Sequence, residues 1–185
     1  MIRSRTVLAR AVFSLLLAFV LLPQVTGPQG SLAAPQRVSI TLLGTTDLHG
    51  NLAPVDYFAN RPANRGLAKI ATLTRRIRAE QPNVLLLDSG DTIQGTPLAF
   101  YFARKEPDKP NPTIALMNAL HYDAMTLGNH EFNFGLDNLW RAKREAKFPI
   151  LAANVRQEYA PDSISYFRPY IIKTTSPRRS GSAPR

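Results

Sequence analysis

Three short polar clusters in this 185-residue chain carry side chains able to hold a cation and to move a proton. They are Asp47-Leu48-His49-Gly50-Asn51, Gly90-Asp91-Thr92-Ile93-Gln94-Gly95-Thr96-Pro97 and Gly128-Asn129-His130-Glu131, and each follows an apolar run. Carboxylate oxygen, imidazole nitrogen and amide oxygen are the donor mix of a hard or borderline divalent metal. Asp47 and His49 stand two apart where a strand runs into a loop. Both side chains are therefore expected on one side, where they can share an ion. A plain Asp-His hydrogen bond at a turn is the alternative for that pair. Asp91 follows a glycine, which lets the backbone turn sharply and pushes the carboxylate outward; its alternative is a helix N-cap. Asn129 offers a neutral amide oxygen that lowers the charge of a site and leaves its metal more Lewis-acidic. His130 is too close to Asn129 in sequence to share that metal comfortably, and it suits a donor to a phosphoryl oxygen or a leaving group. A structural histidine bonded to backbone is the alternative there. His121, at a helix end with no other ligand type beside it, reads as structural.

The clusters can meet only if the elements before them run parallel, because loops that follow parallel strands share one edge of a sheet. Arg37 to Thr45 alternates and then turns apolar, which predicts a first strand ending near Asp47. Residues 52–64 read as a loop. Leu67, Ile70, Ala71, Leu73, Thr74 and Ile77 recur at helical spacing over residues 66–80, and Pro82 stops that helix. Val84 to Leu87 is apolar throughout, as in a strand buried on both faces. A short helix is expected over 97–102, another over 113–120, a strand over 124–127, a helix over 136–147 and a strand over 150–155. Tyr170 to Lys173 reads as the beginning of one more strand. The β-α-β-α order predicts an α/β layered fold with right-handed crossovers.

Composition narrows the classes. Hydrophobic content of 44% is ample for a core, and the net charge of +10 raises the question of nucleic acid. Six of the arginines lie before Ala34 or after Lys173, which leaves 17 basic against 13 acidic residues between them, a balance of only +4. A clustered basic stripe is absent from that stretch, so binding to a nucleic-acid polymer is not expected. The chain has no cysteine, which excludes thiolate metal sites and cysteine nucleophiles. Residues 1–33 read as a secretory signal: arginines first, then the apolar run Ala11 to Leu22, then breakers and small residues before a cut after Ala33. An uncleaved N-terminal anchor is the alternative. Either way the domain is expected outside the cytoplasm, periplasmic or extracellular, and with the signal cleaved it is not expected to stay in the membrane. Residues 174–185 are rich in serine, proline and arginine and read as a disordered or frameshifted tail.

Together, Thr45-Thr46-Asp47-Leu48-His49-Gly50-Asn51-Leu52, Asp88-Ser89-Gly90-Asp91 with Gly95-Thr96-Pro97, and Leu127-Gly128-Asn129-His130-Glu131-Phe132-Asn133-Phe134-Gly135-Leu136 resemble the calcineurin-like metallophosphoesterases, in particular their secreted nucleotidase branch. The resemblance runs from about Ser39 to Lys173. It implies an α/β/β/α sandwich of which residues 34–173 would be the N-terminal part, and two divalent metal ions (manganese, zinc, iron or magnesium). Carried onto this chain, Asp47 and His49 would bind the first metal, Asp91 would bridge both, and Asn129 would bind the second. His130 would steady the phosphoryl transition state or protonate the leaving oxygen. Two departures stand out. Where 5′-nucleotidases of the family place an aspartate to pair with the histidine, this chain has Asn133. That is more similar to the 2′,3′-cyclic-nucleotide 2′-phosphodiesterase/3′-nucleotidase group. Asp137 is a poorer substitute partner. The family also uses two later histidines, and none follows His130 here. The expectation is a nucleotide phosphoesterase whose present 185 residues are truncated and weakly active or inactive. A 5′-nucleotidase or UDP-sugar hydrolase of the same scaffold is one alternative, and a non-catalytic metal- or nucleotide-binding relative is another. Oligomeric state is not legible.

Overall fold

The computed structural model describes residues 38–156 and 166–174. The signal-like segment and most of the serine-rich tail lie outside the described residues. In chain order the elements are β1 (Thr41–Thr45), β2 (Val55–Asp56), β3 (Arg61–Pro62), α1 (Leu67–Glu80), β4 (Val84–Asp88), α2 (Pro97–Arg104), α3 (Pro112–Ala119), β5 (Ala124–Thr126), a 3-10 turn at His130–Phe132, α4 (Leu136–Glu145) and β6 (Ile150–Leu151). Proline writes several of these boundaries. Pro97 and Pro112 open α2 and α3, where a missing N–H costs nothing. Thr96 and Asn111 cap them, accepting from Ala99 N and from Thr113 N and Ile114 N. Pro82 holds the residue before it out of helical space, and Gln81 is extended.

β1, β4, β5 and β6 form one parallel sheet in that spatial order. Because each strand is added on the same side of the last, right-handed crossovers bring every connecting helix to the same face. The register puts Leu43 beside Leu86, and Asp88 beside Met125 beside Ile150, all on that face. Leu67 and Ala71 of α1, Ile114 and Met117 of α3, and Leu139 and Ala142 of α4 close over it as one buried cluster. The other face carries Leu42 beside Leu85 and Gly44 beside Leu87. No helix of the described residues covers it: Leu42 is 65% exposed, and Val38 and Ile40 leading into it are exposed as well. Among the described residues the sheet is thus covered on one side, the first two layers of the sandwich implied by the resemblance.

Three expectations need correction. The loop expected over 52–64 contains the two-residue strands β2 and β3, paired antiparallel. Asp56 secures their turn by accepting from Phe58 N and Ala59 N, and Arg65 reaches it at 2.9 Å. Tyr170 to Lys173 is not a strand; the pairing falls earlier, as a bridge between Arg168 and Leu151. β6 ends at Leu151 rather than Val155; the bridge to Arg168 is made by Leu151 itself, and no further ladder pair follows it among the described residues.

One polar network ties the sheet's loaded edge to its core. Tyr122 Oη lies 3.0 Å from Thr45 Oγ1, which donates to Asp88 Oδ2 at 2.6 Å. Burial pushes the Tyr122 phenol up to about 12, from an ordinary value of 10.0. A raised folded-state value means the contribution is full below pH 10 and lost as pH rises through about 12. Unfolding by urea at stepped pH is expected to show wild-type stability falling across that window more steeply than that of Tyr122→Phe. An ultraviolet titration of the variant should lack the last-ionising tyrosine.

Candidate metal centre

Where β1 ends at Thr45 and β4 at Asp88, the two chains stay bonded through their loops. Asp47 N donates to Gly90 O at 3.0 Å, His49 N to Asp91 O at 2.9 Å and Gly50 N to Thr92 O at 2.8 Å. The loops also share an unusual backbone. Among the described residues five non-glycine positions have left-handed φ, and three of them are Asp47 (52°), His49 (47°) and Asp91 (58°). Each such conformation costs on the order of 1 kcal/mol and persists only where surrounding bonds impose it. This also changes the reason Asp47 and His49 meet. They do not share a side of a strand; successive left-handed turns bring Asp47 Oδ1 within 3.6 Å of His49 Nε2.

The tautomer of His49 follows from its partner. Nδ1 sits 3.0 Å from Gln94 O, and a carbonyl can only accept. The hydrogen is therefore on Nδ1, and in the neutral ring Nε2 presents a lone pair beside the Asp47 carboxylate. A ligand imidazole held by a backbone carbonyl through its other nitrogen is the usual arrangement at a metal. Asp91 joins from the second loop, its Oδ1 accepting from His130 N at 2.8 Å. It is not a helix cap, since Thr96 caps α2. Ligand atoms of His49, Asp91 and His130 all lie within 4.8 Å of one another, and the two rings meet edge to face at 5.1 Å. The His49 nitrogen and the Asp91 carboxylate suit a divalent cation with mixed nitrogen and oxygen preference. Asn129 stands immediately before the 3-10 turn that carries His130. Asn133 is the side-chain partner of His130, with Nδ2 2.8 Å from Nδ1, whereas Asp137 is exposed at the start of α4. His121 follows α3, before β5 rather than after it, and stays apart from this edge.

A calcineurin-like phosphoesterase family model matches residues 40–174. The chain belongs to the calcineurin-like phosphoesterase family. It is 45% identical over 147 residues to the trifunctional nucleotide phosphoesterase protein YfkN of Bacillus subtilis, covering 76% of this chain and 10% of that one. It is 43% identical over 142 residues to the 2′,3′-cyclic-nucleotide 2′-phosphodiesterase/3′-nucleotidase of Haemophilus influenzae, covering 75% and 21%. The crystal structure of calcineurin-like phosphoesterase YfkN superposes with a TM-score of 0.72 at 40% identity, over 78% of this chain and 45% of that one. The chain thus spans about a fifth or less of the length of these two curated relatives.

In this phosphoesterase domain a second tier of side chains holds the loops. Asp88, buried at the end of β4, accepts from Gly90 N at 2.9 Å and from Thr92 Oγ1 at 2.7 Å. Burial pushes its carboxyl above the usual carboxylate range, the Thr45 and Thr92 hydroxyls and Gly90 N pull it back, and the Glu131 charge adds to the rise. Glu131 itself had no role in the reading of the motifs, yet it is 1% exposed and faces four main-chain N–H groups. The only signal for it was an acidic residue inside a tight turn directly after the histidine. Gly90 and Gly128 are required by this closeness: a Cβ on Gly90 would strike the Gly128 backbone, and one on Gly128 would strike Asp91. A cavity of about 410 Å³ opens beside Asp47, walled by Leu48, Asn51, Arg65, Lys69 and Ile70.

Asp47→Gly separates the two demands on that position. Glycine adopts a left-handed φ freely, so the melting temperature of the metal-free protein is expected to hold or rise. Manganese affinity, read by paramagnetic resonance, is expected to fall at least about tenfold with the lost carboxylate.

Proposed function

We propose that this chain hydrolyses nucleotide phosphoesters at a centre of two divalent cations, with 2′,3′-cyclic nucleotides and 3′-nucleotides as its substrates. The observation that carries this reading is the gathering of His49, Asp91 and His130 side-chain atoms within 4.8 Å at one sheet edge, the first two as cation ligands and the third as a proton donor beside them. Asp47 and His49 would hold one cation, Asp91 would bridge, and Asn129 would serve the other. When bound, the cations supply Lewis acidity toward phosphoryl oxygens and make water acidic enough to attack at neutral pH.

The chain's own residues do the remaining work. His49 is kept in one tautomer by Gln94 O and so presents a lone pair rather than a proton. His130 has the opposite assignment. With the Asn133 amide nitrogen donating to Nδ1, the ring hydrogen lies on Nε2, where it can bond a phosphoryl oxygen or pass to a leaving alkoxide. A neutral amide at position 133 supports the cyclic- and 3′-nucleotide class over the 5′ class. The name of the Haemophilus relative points the same way. The arginine-led apolar segment supports export, and the modest charge of residues 34–173 supports a nucleotide rather than a polymer as the ligand. Among the described residues no helix is long and apolar enough to cross a membrane.

Purified chain supplied with manganese or zinc, and offered 2′,3′-cyclic, 3′- and 5′-nucleotides, tests the reading. Cation-dependent turnover of the first two is expected. It should be slow, because only Asp91 and Asn129 serve the second cation from these 185 residues. His130→Asn is expected to lower that rate by about 10²-fold or more. A robust rate would overturn the weak second position. Turnover independent of cation would overturn the reaction class, and turnover confined to 5′-nucleotides the substrate class.

A further inference from the structure

We infer that Glu131 is the positioning residue of this centre, fixing the distance between the loop that presents Asp91 and the loop that presents Asn129 and His130. The inference rests on reading Asp91 as a cation ligand. Glu131 Oε2 accepts from Asp91 N at 2.8 Å and from Gly128 N at 2.7 Å. Those nitrogens belong to different loops, so a single oxygen sets the greatest separation they can reach. Oε1 accepts from Thr92 N at 2.6 Å and Ile93 N at 3.2 Å. The bond is returned in the other direction, since Asp91 Oδ1 accepts from His130 N at 2.8 Å. Each loop thus lends a carboxylate to the other's backbone. The His130 N bond to Oδ1 restrains the Asp91 carboxylate and leaves lone pairs on both of its oxygens for a cation.

The choice of residue argues for more than adhesion. Four N–H donors converge, and a carboxylate offers only acceptors, whereas glutamine would turn an amide N–H toward an N–H. Aspartate is one methylene short of spanning both loops. Glu131 is 1% exposed and makes no ion pair among the described residues, so its charge is sustained by main-chain dipoles alone. A bare structural tie would not need a buried anion, which is costly to desolvate.

Manganese binding and backbone hydrogen exchange on Glu131→Gln, Glu131→Asp and the remote core variant Ile114→Val decide the matter, each at a temperature where circular dichroism shows a folded protein. In Glu131→Gln, manganese affinity is expected to fall about tenfold or more. Exchange protection at Asp91, Thr92, Ile93 and Gly128 should be lost together while β4 and β5 stay protected. Glu131→Asp should lie between, and Ile114→Val should bind as the wild type does. A folded Glu131→Gln with affinity within twofold of wild type, or four amides that open independently, would overturn the inference. If Glu131→Gln does not fold, Glu131→Asp is judged on the same two readouts. If the wild-type chain takes up no manganese, the cation reading fails and concerted loss of the four amides alone decides the clasp.

Discussion

Parallel pairing of β1 with β4 is the constraint from which the chemistry of this molecule follows. Because Thr45 and Asp88 are in register, both chains leave the sheet at the same point and in the same direction. They do not part there. Three more backbone bonds carry the pairing from Asp47, His49 and Gly50 to Gly90, Asp91 and Thr92. This is a ladder continued by turns, where each candidate ligand residue uses its own N–H or C=O to stay in place. An antiparallel β4 would deliver Asp91 to the far end of the sheet, with every local motif intact and no site.

That ladder explains why strained backbone collects at this edge. Asp47, His49 and Asp91 adopt left-handed φ although none is glycine. The conformations are imposed by bonds on either side; they set Asp47 beside His49, and His49 and Asp91 beside His130. Below them, Asp88 and Glu131 answer the loose N–H groups of the turns with buried carboxylate oxygens. Two buried acids so close together are tolerable because each is solvated by main-chain and hydroxyl donors.

Much of this was legible from residue order. Apolar spacing at 3.6 residues gave α1, and Pro82 gave its end. The apolar run Val84 to Leu87 gave β4. The candidate ligands Asp47, His49 and Asp91 stood out because their residue types follow strands. What escaped notice shares a physical cause. β2 and β3 are two residues each, too short for any period to register. Tyr170 to Lys173 has the composition of a strand, but pairing is a property of neighbours, and Arg168 is the residue that lies beside Leu151. Glu131 was hidden because the groups that solvate it are main-chain N–H groups, which every residue but proline possesses and which residue identity does not reveal.

The strand order has a consequence beyond the centre. When strands are added in one direction, right-handed crossovers gather the helices on one side; among the described residues the other side offers Leu42 to water on the outermost strand, whose outer edge pairs with nothing there. Apolar strands with a free edge recruit other strands, including those of identical molecules. During synthesis this surface would emerge from the ribosome well before His130 does. Whatever shields it, a later layer or a chaperone, the same strand that aims Asp47 at the centre is the one most exposed to misassembly.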